Sequence, residues 1–144
     1  MGRKRMNTGA PLPKALACGM LEDEGRVLFL IRKDERGLER IEMPCVLVFS
    51  GRNPLAELSG EFRKQTGIDA QIHDILIEGK YNAGSRKRKQ LVPVLVFEVT
   101  AKSMRADPSS EFSGFKWLGI KQAERMKHSR KAEWVKGLSL AYSK

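Results

Sequence analysis

Two carboxylates and a run of cations carry most of the chemistry open to this 144-residue sequence. Glu57 and Glu61 stand four residues apart, which places both on one face of a helix. Paired carboxylates suit a hard divalent ion such as Mg²⁺ or Mn²⁺, which takes oxygen ligands. The same pair reads equally as solvated helix residues, with Glu61 pairing Arg63 or Lys64. The second feature is Arg86-Lys87-Arg88-Lys89, a tetrabasic stretch in a glycine-containing loop between two apolar runs. Such a loop tip is either simply solvated or a contact for phosphate, which guanidinium forks and ammonium groups bind well. Arg32, Arg52 and Lys64 are further phosphate-binding candidates, and Tyr81, beside the basic loop, is the aromatic side chain best placed to stack on a base. His73 and His128 have no Cys or His at zinc-ligand spacing. No Ser-His-Asp or Cys-His arrangement can be defended.

The elements that must position these groups follow from patterning. Residues 1–13 read as a flexible basic arm containing Arg3-Lys4-Arg5, and residues 14–144 as a single domain. Lys14–Leu21 and Arg26–Arg32 form a hairpin around Asp23–Gly25. After a charged loop, residues 41–49 are mostly apolar, with Cys45–Phe49 unbroken. Asn53 is a good N-cap, Pro54 fits the first helical position, and Leu55, Leu58 and Phe62 keep helical spacing up to Gly67. A helix over 54–66 results. Ile68–Glu78 and Gln90–Thr100 read as strands, with Pro93 making the second an edge or bulged strand. Phe112–Ile120 is a further strand, Lys121–Lys127 a helical turn, and Ser129 caps a C-terminal helix over about 129–142. That helix puts Trp134, Leu138 and Ala141 on one side, and Trp117 and Trp134 read as core. The fold class is α+β, an α/β/α-type sandwich of helices on a mixed sheet.

The formal charge of +10, from 27 Lys and Arg against 17 Asp and Glu, favours polyanionic partners through counterion release. A nucleotide or nucleic acid fits, and the basic arm and loop favour RNA. Cys18 and Cys45 lie in apolar, strand-like runs and read as buried reduced thiols; a disulfide stays open. No apolar run approaches the roughly 18 residues of a membrane span. The N-terminus lacks the apolar core of a signal peptide, and Met6 stands where a myristoylation pattern has Ser or Thr. A cytoplasmic protein with no membrane partner is expected.

Residues 41–70, IEMPCVLVFSGRNPLAELSGEFRKQTGIDA, resemble the box of the Nudix hydrolases together with its lead-in. That box runs G-x5-E-x7-R-E-U-x-E-E-x-G-U, with U a bulky aliphatic residue. Setting Gly67-Ile68 on the closing G-U puts Glu61 on the first helix Glu, and Glu42-Met43-Pro44 on the family's E-L-P approach without a gap. The opening hairpin and Glu111-Phe112-Ser113-Gly114-Phe115-Lys116-Trp117-Leu118 also resemble family features, so the likeness spans about residues 14–142.

The resemblance implies the Nudix fold, with the 54–66 helix as its metal-binding helix. It also implies a departure. Where the family carries three helix carboxylates for Mg²⁺ or Mn²⁺, this chain has Glu61, Lys64 and Gln65. The opening Gly is Val46, the next Glu is Arg52, and the Arg before the helix Glu is Gly60. Glu111 stands where some members place a further carboxylate, so Glu57, Glu61 and Glu111 are the catalytic set if the chain is active, with Glu61 and Glu57 the weak metal ligands. Three functions follow. One is a binding module for a nucleotide or an RNA phosphate backbone, needing no cofactor. Another is an atypical Mg²⁺- or Mn²⁺-dependent hydrolase of nucleoside diphosphate derivatives. The third is a protein-interaction module, such as a homodimer, using the apolar Cys45–Phe49 stretch.

Overall fold

The computed structural model describes residues 11–141. The arm therefore lies largely outside the described residues, as does Tyr142 at the expected end of the last helix. The first two strands, β1 (Ala15–Asp23) and β2 (Arg26–Lys33), turn at Glu24-Gly25, where both residues have positive φ. β3 (Glu39–Glu42) and β4 (Cys45–Val48) divide the apolar stretch at Met43-Pro44. Helix α1 (Pro54–Thr66) begins where the Asn53 side chain accepts the Ala56 N–H and ends at Gly67 in the left-handed region, as the sequence predicts. β5 (Ala70–Asn82) and β6 (Leu91–Ala101) form a long antiparallel hairpin, followed by β7 (Gly114–Leu118) and α2 (Ile120–Glu124).

These strands form one seven-stranded mixed sheet with the path β3-β2-β1-β6-β5, β4 pairing β1 and β7 pairing β2. The β1–β2 ladder holds only Glu22↔Val27 and Asp23↔Arg26. Upstream, β1 leaves its hairpin partner and runs between β4, antiparallel, and β6, parallel. Alternation along β1 then feeds two layers. Leu16, Cys18 and Met20 face the core beneath Ala132, Val135 and Leu138, while Ala15 and Ala17 pack with Leu58 of α1. Phe62 of α1 packs with Leu21 and Leu28. The helices thus cover opposite faces, the expected α+β sandwich.

Gly19 makes the α1 layer possible. A Cβ there would lie 2.7 Å from the Phe62 ring and 3.0 Å from Val99, so only glycine lets the helix settle this close to β1. Both cysteines are buried and free, and Cys18 and Cys45 are direct register partners across β1 and β4.

Two expectations need correction. β6 is an interior strand, flanked by β1 and β5, and the register shifts fall in β5 near Ile75, not at Pro93. Proline is tolerated because the β1 ladder begins only at Val94, leaving Pro93 beyond its reach. The C-terminal helix is mainly a 3₁₀-helix (Arg130–Gly137) that passes into a short α3 (Leu138–Ala141). Ser129 occupies its N-cap position without a side-chain bond, and Ala141 is exposed. Of the apolar 45–49 stretch, Cys45 and Val48 are buried where β4 pairs β1, while Val46, Leu47 and Phe49 stay half-buried. No described helix is long and apolar enough to cross a membrane.

Candidate functional site

Three places gather the candidate side chains. The first is the inner edge of α1. Gln65 is 6% exposed, and its amide makes both kinds of bond to one residue. Oε1 accepts the Cys45 backbone N–H at 3.3 Å, and Nε2 donates to the Cys45 carbonyl at 2.8 Å. Nε2 also donates to Glu61 Oε1 at 3.2 Å. Donor and acceptor are both used, which an amide provides and a carboxylate does not. Lys64 and Arg63 are exposed, and neither forms an ion pair among the described residues.

The second place is a junction between β2, β3 and the segment before β7. Arg32 grips Glu42 with a two-pronged fork, Nε–Oε1 3.0 Å and Nη2–Oε2 3.1 Å. Its Nη2 also reaches Glu111 Oε2 at 3.4 Å, and the guanidinium lies 4.8 Å from the Phe112 ring centroid. Glu42 is 2% exposed, so its charge is compensated here or nowhere. The Glu42 hydrogen bonds outweigh burial and raise the Arg32 pKa. Arg32, expected to hold phosphate, is therefore already committed to two carboxylates. Glu111, expected beside Glu57 and Glu61, instead accepts from Arg32 and from Ser109 Oγ at 3.3 Å. Among the described residues no three His, Cys, Asp or Glu side chains are grouped to hold a metal ion. The Glu57–Glu61–Glu111 cluster is not brought together.

The third place is the tip of the β5–β6 hairpin, where a cleft of about 510 Å³ opens against the 3₁₀-helix. Lys80, Asn82 and Arg86 line it from the hairpin, and Arg130, Glu133 and Trp134 from the helix. The loop is tightly bonded. Asn82 Oδ1 accepts the N–H groups of Gly84 and Gln90 at 3.0 and 2.9 Å, and Ser85 Oγ accepts that of Arg88 at 2.9 Å. Arg130 Nη2 donates to the carbonyls of Asn82, at 3.0 Å, and Gly84. Carbonyls take its hydrogens without neutralising its charge. None of Lys80, Arg86 and Arg130 joins an ion pair among the described residues.

The expected phosphate-binding set is thus divided. Arg86, Lys87, Arg88 and Lys89 are exposed on this loop, which Arg130 ties to the 3₁₀-helix layer. Arg52 and Lys64 are exposed in the α1 layer, on the opposite face of the sheet. Tyr81 is 9% exposed and belongs to the main core, and what remains exposed of it lines the cleft. Period-two alternation turns it inward beside the outward Lys80. Trp134, expected in the core, does pack on its edge yet also lines the cleft, its indole N–H donating to the Lys131 carbonyl at 3.0 Å.

Sequence reasoning did not single out Lys80, Arg130 or Glu133, nor the commitment of Gln65 and Glu42. A signal existed for Glu42, a carboxylate within an apolar strand end. For Arg130 none did, since its partners are backbone carbonyls 46 and 48 residues away in sequence.

No protein-family model matches the chain, and no curated protein matches it in sequence. Solved structures do match in fold. The Escherichia coli ORF135 protein is 12% identical, with a TM-score of 0.68 over 88% of each chain. The E. coli dihydroneopterin triphosphate pyrophosphohydrolase is 15% identical, with a TM-score of 0.66 over 90% of this chain and 97% of that one. A Nudix hydrolase from Nitrosomonas europaea is 13% identical, with a TM-score of 0.62 over 90% and 92%. The chain has the Nudix fold.

Proposed function

We propose that this Nudix-fold chain binds a nucleotide or an RNA phosphate backbone without the metal-dependent hydrolysis for which the Nudix box is built. One observation carries the reading. Gln65, set by the resemblance where a metal-binding carboxylate belongs, spends its amide on both backbone groups of Cys45. The other two helix positions are Glu61, which accepts from Gln65, and the cation Lys64, which repels a divalent ion. Glu57 adds a carboxylate one turn away, but Glu111 is engaged by Arg32. This donor set does not fit Mg²⁺ or Mn²⁺.

Phosphate affinity is supported by the charge of +10 and by the hairpin-tip cations, which join no ion pair among the described residues. A fold neighbour named for a pyrophosphohydrolase of a pterin triphosphate indicates that this scaffold accommodates phosphorylated heterocycles. The test is titration of Mg²⁺ and Mn²⁺ into the purified chain with a nucleotide panel, following phosphate release, alongside RNA binding at several salt concentrations. The reading expects no metal binding below the millimolar range, no turnover, and RNA affinity that falls steeply with salt. Metal-dependent turnover abolished by Glu61→Gln would overturn it in favour of an atypical hydrolase.

A further inference from the structure

We infer that the cleft between the 83–90 loop and the 3₁₀-helix seats a single-stranded RNA segment, one base on Trp134 and the adjoining phosphates on Lys80, Arg86 and Arg130. The inference rests on the phosphate-binding reading and gives it a place away from the α1 edge. Three cations face the cleft against one carboxylate, Glu133, and none of the three is neutralised by an ion pair among the described residues. Fixed positive charge in a concave site concentrates a polyanion. Trp134, partly buried against the core, also lines this cleft, and stacking on an aromatic ring is how single strands are held without base readout. A duplex hides the base face that such stacking needs. The cleft, about 510 Å³, has the size of pockets that enclose one small ligand. It takes one nucleotide, and a strand leaving it passes the exposed Lys87, Arg88 and Lys89.

Glu133 favours RNA over DNA. A carboxylate penalises a phosphate beside it but accepts a hydrogen bond from a ribose 2′-hydroxyl, the group that DNA lacks. The loop is also held ready. Arg130 bonds two of its carbonyls, Asn82 bonds both of its ends, and a side chain at Gly84 would collide with the Arg88 carbonyl oxygen. Arg130 therefore positions the loop besides lending its charge, so little loop entropy remains to be lost on binding.

The experiment measures binding of a labelled uridine octamer to the full chain, with UMP, an RNA duplex and the matching DNA octamer as competitors. In a Trp117→Phe protein, Trp134 is the sole tryptophan of the chain, and its emission should be quenched on binding. Trp134→Phe keeps a smaller stacking ring and should weaken binding modestly, whereas Trp134→Ala should cost the roughly 5- to 150-fold associated with losing one stacked base. Arg86→Glu, on an exposed loop where the core is untouched, should weaken it by about 10-fold or more and flatten the salt dependence. Octamer binding that leaves Trp134 unquenched and is indifferent to Arg86→Glu would place RNA elsewhere, overturning this site while sparing the broader reading. UMP binding as tightly as the octamer would overturn the strand, and DNA binding as tightly as RNA would overturn the role of Glu133. If no polyanion binds, both readings fall.

Discussion

The side-chain amide of Gln65 forms a closed pair of hydrogen bonds with the backbone of Cys45, its Oε1 accepting the N–H and its Nε2 donating to the C=O. This ties the inner edge of α1 to the first residue of β4, twenty positions earlier in the chain. The bond needs an acceptor and a donor on one planar group. A glutamate offers two acceptors and would face the Cys45 carbonyl with negative charge.

Gln65→Glu therefore should not rebuild a metal site. The expected outcome is a loss of about 1–3 kcal/mol, the usual result when buried polar groups lose their partner. Urea unfolding measures the loss. Calorimetric titration with Mg²⁺ on the same protein should show no gain in affinity; tight binding with unchanged stability would contradict this account.

Arg32 and Glu42 should behave as a buried pair. Arg32→Ala leaves Glu42 uncompensated at 2% exposure, and a cost of roughly 3–5 kcal/mol is expected. Arg32→Lys should rescue only part, since one ammonium cannot reproduce the fork. The double variant Arg32→Met, Glu42→Gln should be more stable than Arg32→Ala, because no charge is stranded. Denaturation midpoints for the three proteins settle the order.

Gly19→Ala should destabilise by about 1–3 kcal/mol through overpacking, because the new methyl meets the Phe62 ring and Val99 together. Combining it with Phe62→Leu should recover part of that loss, a non-additivity expected only of residues in contact. Simple addition of the two effects would show that the close approach is not what makes glycine necessary.

His128 should make stability pH-dependent. It is 8% exposed, and its Nε2 lies 2.7 Å from the Ala123 carbonyl, so Nε2 carries the proton and Nδ1 is left buried without a partner among the described residues. Burial, aided by Lys136 and opposed by the Ala123 bond and Glu133, holds its pKa below the ordinary 6.5. The unfolded chain therefore binds the proton more readily. This contribution is constant above about pH 6.5 and is lost as pH falls from there through the folded value. Thermal melts between pH 5 and 8 should show the decline, and His128→Gln should remove that pH-dependent component.

The local elements were legible because their causes are local. Asn53, Pro54 and Gly67 delimit α1 by capping and dihedral preference, and β1 and β2 follow from apolar runs either side of an acidic turn. The extended motif likewise announced the Nudix fold. Pro93 misled because strand position depends on which neighbours pair, and β1 stops short of it. That Tyr81 is largely buried, and that Trp134 both packs on the core and lines the cleft, was illegible for a similar reason. Which face of β5 turns inward, and which edge of the 3₁₀-helix meets the hairpin, are decided by packing between distant segments.

The candidate site divides along the same line. By itself the sequence determined that the helix carries Glu61, Lys64 and Gln65 in place of three carboxylates, and that the hairpin loop is strongly basic, since both are statements of residue type and spacing. Only the tertiary structure decided that Gln65 is bonded to Cys45, that Arg32 is held by Glu42 and Glu111, and that Arg130 and Trp134 join the basic loop. Those partners lie 20, 10, 79 and about 50 positions apart. Hydrogen bonds and ion pairs are contacts of a few ångströms, and at such separations only the folded chain brings their groups within reach.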